Sequence, residues 1–137
     1  MLYAIPLTIL PWIAFNVVAF LGNDVWDKPL FSATMISGQV WTFFVRDLMV
    51  LFGLFCLFFE IMRSARAGIR MITNHILSTV VFVLFLVEFI VFPRAAHSVF
   101  FILMVIAIFD VIAGFTIAIS TAQRSVTYTH DADGERH

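Results

Sequence analysis

Four apolar runs, broken by short polar stretches, set the pattern of this chain: Leu2–Leu21, Val40–Met62, Ile72–Phe92 and Val99–Ile119. Each is about as long as the ~20 residues that a helix needs to cross a ~30 Å hydrocarbon core. The pattern predicts an all-α membrane protein, a four-helix transmembrane bundle of up-down topology within residues 1–122. The connections between spans two and three and between three and four are short, which predicts antiparallel neighbours. Residues 123–137 turn polar and predict a disordered cytoplasmic tail.

The first run has no basic stretch before it, and AFLGN is a poor cleavage site, so a retained helix is expected rather than a signal peptide. Pro6 falls in its first turns, where a missing N–H matters little, whereas Pro11 lies deeper and predicts a kink or break. The longest connection, Gly22–Gln39, carries turn residues and reads as a solvated loop, with Leu30–Met35 lying on the membrane interface as the alternative. Trp26 and Trp41 bracket it and suit the headgroup zone.

Helical spacing then assigns faces. Gln39, Arg46, Gly53 and Glu60 recur every seventh residue in span two, with Met49 and Cys56 in the same stripe. Asn74, Ser78, Val81, Phe85 and Glu88 share a face of span three. Ala107, Asp110, Gly114, Ala118 and Thr121 share one of span four, with Gly114 and Ala118 in small-xxx-small spacing. These stripes predict helices that meet along an internal polar seam.

Composition strengthens the membrane reading. The 137 residues are 62% hydrophobic and only 12% charged, about half the charged fraction usual in soluble domains. A net charge of −1 provides no field to attract nucleic acid, and Cys56, the only cysteine, excludes an intrachain disulfide. Basic residues orient the chain: Arg63, Arg66, Arg70, Arg124 and Arg136 fall on one side, against Lys28, Arg46 and Arg94 on the other. That balance predicts both termini in the cytoplasm of a bacterial-type inner (plasma) membrane.

Charges in hydrocarbon are costly, so the intramembrane polar residues Asn16, Arg46, Asp47, Glu60, Glu88 and Asp110 are the site candidates. Depth along antiparallel helices predicts a cluster of Arg46 with Glu88, or with its neighbour Asp47. Glu60 and Arg63 predict an i,i+3 interfacial pair, and His75, near the same level, a headgroup-facing side chain. Asp110 stands mid-span with no base at its depth. Burial disfavours a carboxylate, which predicts a neutral, hydrogen-bonded acid with Ser78, Thr79 or Asn16 as partners.

The scattered histidines and the lack of a phosphate-loop, nucleophile-elbow or dinucleotide motif predict no enzyme, cofactor or metal. In span number and length the chain is similar to the small multidrug transporters. Those carry their essential Glu in the first span, where this chain has only Asn16, and no family is assigned. Two functions remain expected. One is an accessory, assembly or regulatory subunit that contacts lipid and a membrane-protein partner or a second copy. The other is a small homo-oligomeric proton-coupled transporter or channel subunit using Asp110 and Glu88.

Overall fold

The computed structural model describes residues 5–66 and 71–134. Among these residues the chain forms four α-helices: α1 (Ile9–Phe20), α2 (Val45–Arg66), α3 (Met71–Val91) and α4 (Ser98–Gly134). Between α1 and α2 it forms an antiparallel hairpin of β1 (Pro29–Thr34) and β2 (Val40–Phe44). Three helical segments are long and apolar enough to cross a membrane: Val45–Arg66, Thr73–Val91 and Ser98–Arg124, with mean hydropathy 1.9, 2.1 and 2.6.

The first predicted span is not among them. Helix α1 has 12 residues, about 18 Å at 1.5 Å per residue, short of a full crossing. The prolines explain this length. The chain before Ile9 makes only single turns, with the Ile9 and Leu10 N–H groups donating to the Pro6 and Leu7 carbonyls. Pro11 therefore lies in the first helical turn, where no N–H is required, and produces no break within the helix.

The second span is displaced along the chain: it starts at Val45, because residues 40–44 are strand rather than helix, and runs on to Arg66. These residues, Val-Trp-Thr-Phe-Phe, are all β-branched or aromatic, types that fit a pleated surface. Gly38, at φ +82°, closes the turn with its N–H donating to the Met35 carbonyl at 2.9 Å. A left-handed residue at the end of a three-residue loop is a common hairpin closure. The solvated loop expected here is thus a hairpin, the departure from an all-α architecture.

The tail differs as well. Helix α4 runs through Gly134, where disorder was expected from residue 123. No glycine or proline interrupts residues 115–133, so nothing local stops the helix before Gly134. Arg70 and Arg136, counted in the charge balance, lie outside the described residues, as do residues 1–4 of the first predicted span.

Helix α4 packs against both α2 and α3, and α1 packs on α2 and more lightly on α4. Spans two, three and four are therefore not simple consecutive neighbours, since α4 lies centrally. The core at the hairpin end is aromatic. Phe15 stacks on Trp26 with ring centroids 4.8 Å apart and meets Phe100 at 4.7 Å, while Phe85 meets Phe100 at 5.2 Å. Trp26 is buried in that core, while Trp41 is exposed on the hairpin. His97 lies against it, and its Nδ1 accepts the Val99 N–H at the start of α4.

Small residues allow the close crossings. A Cβ on Gly53 would stand 2.6 Å from a Leu103 methyl, and one on Gly114 would overlap the His75 ring. Gly114→Ala is expected to lower stability by about 1–3 kcal/mol through overpacking. His75→Ala in the same chain should recover part of that loss. Thermal unfolding of the two variants and their double in detergent checks this, and an additive double mutant would contradict the contact.

Candidate functional site

The polar side chains gather at the end of the helices opposite the aromatic core. Glu60, in the penultimate turn of α2, is completely buried. It accepts the Leu7 N–H at 2.9 Å and the Arg63 guanidinium at 2.9 Å, and the Asn74 amide nitrogen donates to it as well. Arg63 also donates to the Ile5 carbonyl at 2.8 Å and to Asn74 Oδ1 at 3.2 Å. One carboxylate and one guanidinium thus join the segment before α1, helix α2 and helix α3. The i,i+3 pair expected between Glu60 and Arg63 is present, but it is not the solvated interfacial pair the spacing implied. Glu60 is held by a charged donor, an amide and a backbone N–H, which is what a buried charge requires.

Asp110 lies deeper, on the face of α4 that meets α3 and the start of α1. Thr8 Oγ1 donates to its Oδ2 at 3.2 Å, and the buried Ser78 hydroxyl lies beside the same carboxyl. Of the expected partners, Ser78 is present and the other two are engaged elsewhere. Thr79 Oγ1 donates to the His75 carbonyl at 2.9 Å, and Asn16 turns to Glu88. Thr8 was not anticipated, because a residue before the helix gives no periodic signal of its depth.

His75 is 4% exposed, and its ring is stacked on Phe115 in the space left by Gly114. The headgroup-facing position expected for it is therefore incorrect: α3 begins at Met71, and His75 turns inward one position along from Asn74. Its Nε2 and the Trp12 Nε1 are buried and have no hydrogen-bond partner among the described residues.

The expected Arg46–Glu88 cluster does not form. Helix α2 starts at Val45, so Arg46 lies in its first turn at the mouth of the helix rather than two turns inside. There it pairs with Asp27 and stacks over Phe44, with its guanidinium carbon 4.3 Å from the ring centre. Asp47 pairs with no base among the described residues. Its Oδ2 accepts the Phe44 N–H at 2.9 Å, as the third residue of a capping box does. Glu88 instead accepts from Asn16 Nδ2 at 3.3 Å, and the same amide donates to the Trp12 carbonyl at 3.0 Å. A groove of about 570 Å³ opens beside this pair, with Phe20, Phe92 and Arg94 at its rim.

The structure therefore brings Glu60, Asn74, Ser78 and Asp110 to one seam and leaves Arg46, Asp47 and Glu88 at the other end. Among the described residues, no three His, Cys, Asp or Glu side chains stand close enough to hold a metal ion. Comparison with protein-family models, with curated proteins and with solved structures finds no match to this chain.

Removing one partner of a buried ion pair leaves the other uncompensated. Glu60→Ala is accordingly expected to lower unfolding stability by about 3–5 kcal/mol. Arg63→Ala should cost at least as much, since it leaves the fully buried Glu60 without its counter-charge, whereas Glu60→Ala leaves a guanidinium that is partly exposed. The double variant should be clearly less damaged than the sum of the two singles. Reversible denaturation of all three in detergent measures the coupling, and strict additivity would show that the pair holds nothing together.

Proposed function

We propose that this small integral membrane protein acts as an accessory, assembly or regulatory subunit of a membrane complex. The observation that carries the proposal is the closure of its polar interior. Glu60, Asp110 and Glu88 each receive hydrogen bonds from their own chain, and Glu60 and Asp110 are buried. Groups tied down in this way set helix register, a role known for polar residues between membrane helices. An ion or proton pathway needs carboxylates that face water and exchange partners.

The surface supports the same reading. Leu51, Phe52, Leu54, Phe55, Phe58 and Phe59 leave the outer side of α2 apolar and exposed, suited to lipid or to a neighbouring helix. We read the location as multi-pass in a bacterial-type inner (plasma) membrane, with both termini cytoplasmic. Three features support that orientation. The Ile5 carbonyl bonds to Arg63, helix α4 returns to the same end, and the basic residues Arg63, Arg66 and Arg124 gather there.

A second reading, a proton-coupled homo-oligomer, draws on Asp110. Its hydrogen-bond donor among the described residues is the uncharged Thr8 hydroxyl, and buried His75 has a ring nitrogen with no partner among those residues. Two measurements separate the readings. Extraction of the tagged protein in mild detergent is expected to recover a second membrane protein in fixed ratio. Recovery of a homo-oligomer alone would favour transport instead. The Asp110→Asn variant keeps an acceptor for Thr8 and is expected to retain that partner. Loss of proton-linked flux in liposomes, with insertion intact, would overturn the accessory role.

A further inference from the structure

Residues 29–45 contain no Asp, Glu, Lys, Arg or His, although charges stand immediately on either side at Asp27, Lys28, Arg46 and Asp47. The hairpin register sorts this uncharged stretch into two faces. Phe31 pairs with Phe43 and Ala33 with Trp41, so these four side chains share one face. The rings on it cluster, with Phe31 and Phe43 stacked at 5.2 Å and Phe31 edge-on to Trp41 at 5.5 Å. Ser32 pairs with Thr42 and Thr34 with Val40 on the other face, which is therefore rich in hydroxyls. β1 is exposed along its whole length, and Trp41 is 48% exposed. The tip residue Ile36 has no shelter at all, at 110% relative exposure.

The base of the hairpin is anchored where α2 begins. The Val45 N–H donates to the Lys28 carbonyl at 3.1 Å and the Arg46 N–H to the Trp26 carbonyl at 3.2 Å. Trp26 is itself locked into the aromatic core. The hairpin therefore projects from the very end of a membrane-length helix, next to its exposed apolar residues Leu48, Leu51 and Phe52.

We propose that the hairpin Pro29–Phe44 is a lipid-contacting element. Its aromatic face and its Met35–Ile36 tip rest in the headgroup–acyl boundary of the leaflet next to the start of α2. Tryptophan and its aromatic neighbours are best accommodated at that depth, where an apolar ring and a polar edge are both satisfied. Continuity with the apolar surface of α2 argues for lipid as the occupant. So does the absence of any charge that would orient a protein partner. The backbone limits the depth. Both strands of a two-stranded sheet have a free edge, and unpaired N–H and C=O groups are excluded from the hydrocarbon but hydrated at the interface. A strand of this size extends about 20 Å, so the hairpin lies along the boundary instead of plunging through the leaflet. The hydroxyl face of Ser32, Thr34 and Thr42 is then turned to headgroups and water.

The test uses the full chain in phospholipid nanodiscs. Single variants Ile36→Cys and Asp24→Cys are labelled with an environment-sensitive fluorophore, the unsubstituted chain serving as the blank for buried Cys56. Neither substitution disturbs packing, since both positions are exposed. Headgroup-level nitroxide lipids are expected to quench the label at position 36 at least about twofold more strongly than at position 24, and aqueous iodide correspondingly less. Iodide quenching equal at the two positions would overturn the proposal in favour of a solvated hairpin. Protection of position 36 from both quenchers would overturn it equally, because a second copy or a protein partner would then cover the tip.

Discussion

The carboxylate of Glu60 is the constraint on which most of this structure depends. It is a full charge removed from solvent, and it is tolerable only because three donors converge on it from three segments. One of these is the Leu7 N–H, which would otherwise point without a partner from the chain entering α1. Arg63 completes the arrangement by donating to both the carboxylate and the Ile5 carbonyl. The entry to α1, the end of α2 and the start of α3 cannot shift separately without exposing a buried charge. Asp110 extends the same logic one level deeper, joining α4 to Thr8 at the start of α1.

The opposite end is held by other means. Phe15, Trp26, Phe85 and Phe100 form a continuous set of ring contacts there, with His97 closing the edge. Aromatic packing has large area and loose angular demands, while hydrogen bonds to a carboxylate demand direction. The two ends therefore do different jobs: the aromatic end supplies contact area, and the polar end selects one register of the helices. In a lipid setting this division is physically necessary, because apolar side chains contact lipid tails as favourably as they contact each other.

Most of the inward faces of the long helices were legible from periodicity alone, although Gln39 and Thr121, placed on two of them, are exposed. Met49, Gly53, Cys56 and Glu60 on α2, Ser78, Val81 and Phe85 on α3, and Ala107, Asp110 and Gly114 on α4 are all buried as the spacing implies. What the pattern missed was local. Hydropathy cannot distinguish a strand from a helix in a short apolar run such as Val40–Phe44, and only the β-branched and aromatic residues after Gly38 hint at the hairpin. That misjudgement moved the start of α2 by one and a half turns and carried Arg46 to the wrong depth, so its pairing with Glu88 was wrong too. The capping role of Asp47 was readable once the helix start is known, as an acid at the third helical position. Pairings such as Thr8 with Asp110 depend on which helices are neighbours, and a single sequence does not carry that information.

The way the polar groups are held bears on function. An intramembrane carboxylate that works must change partners during its cycle, so it needs a neighbour that is easily displaced. Glu60 has none: every donor on it is also fixed to another helix or to the backbone. Glu88 has a single amide donor among the described residues and borders an open groove, and Asp110 has the Thr8 hydroxyl. The seam is thus graded, from a locked ion pair at one end to progressively simpler neutral contacts. A protein built for transport would place its most adaptable carboxylate at the centre of a water-accessible path. Here Asp110, the central one, is 4% exposed and lies against the small-residue contact at Gly114. That arrangement supports the proposed accessory role, in which a rigid body would meet its partner through its outward surfaces.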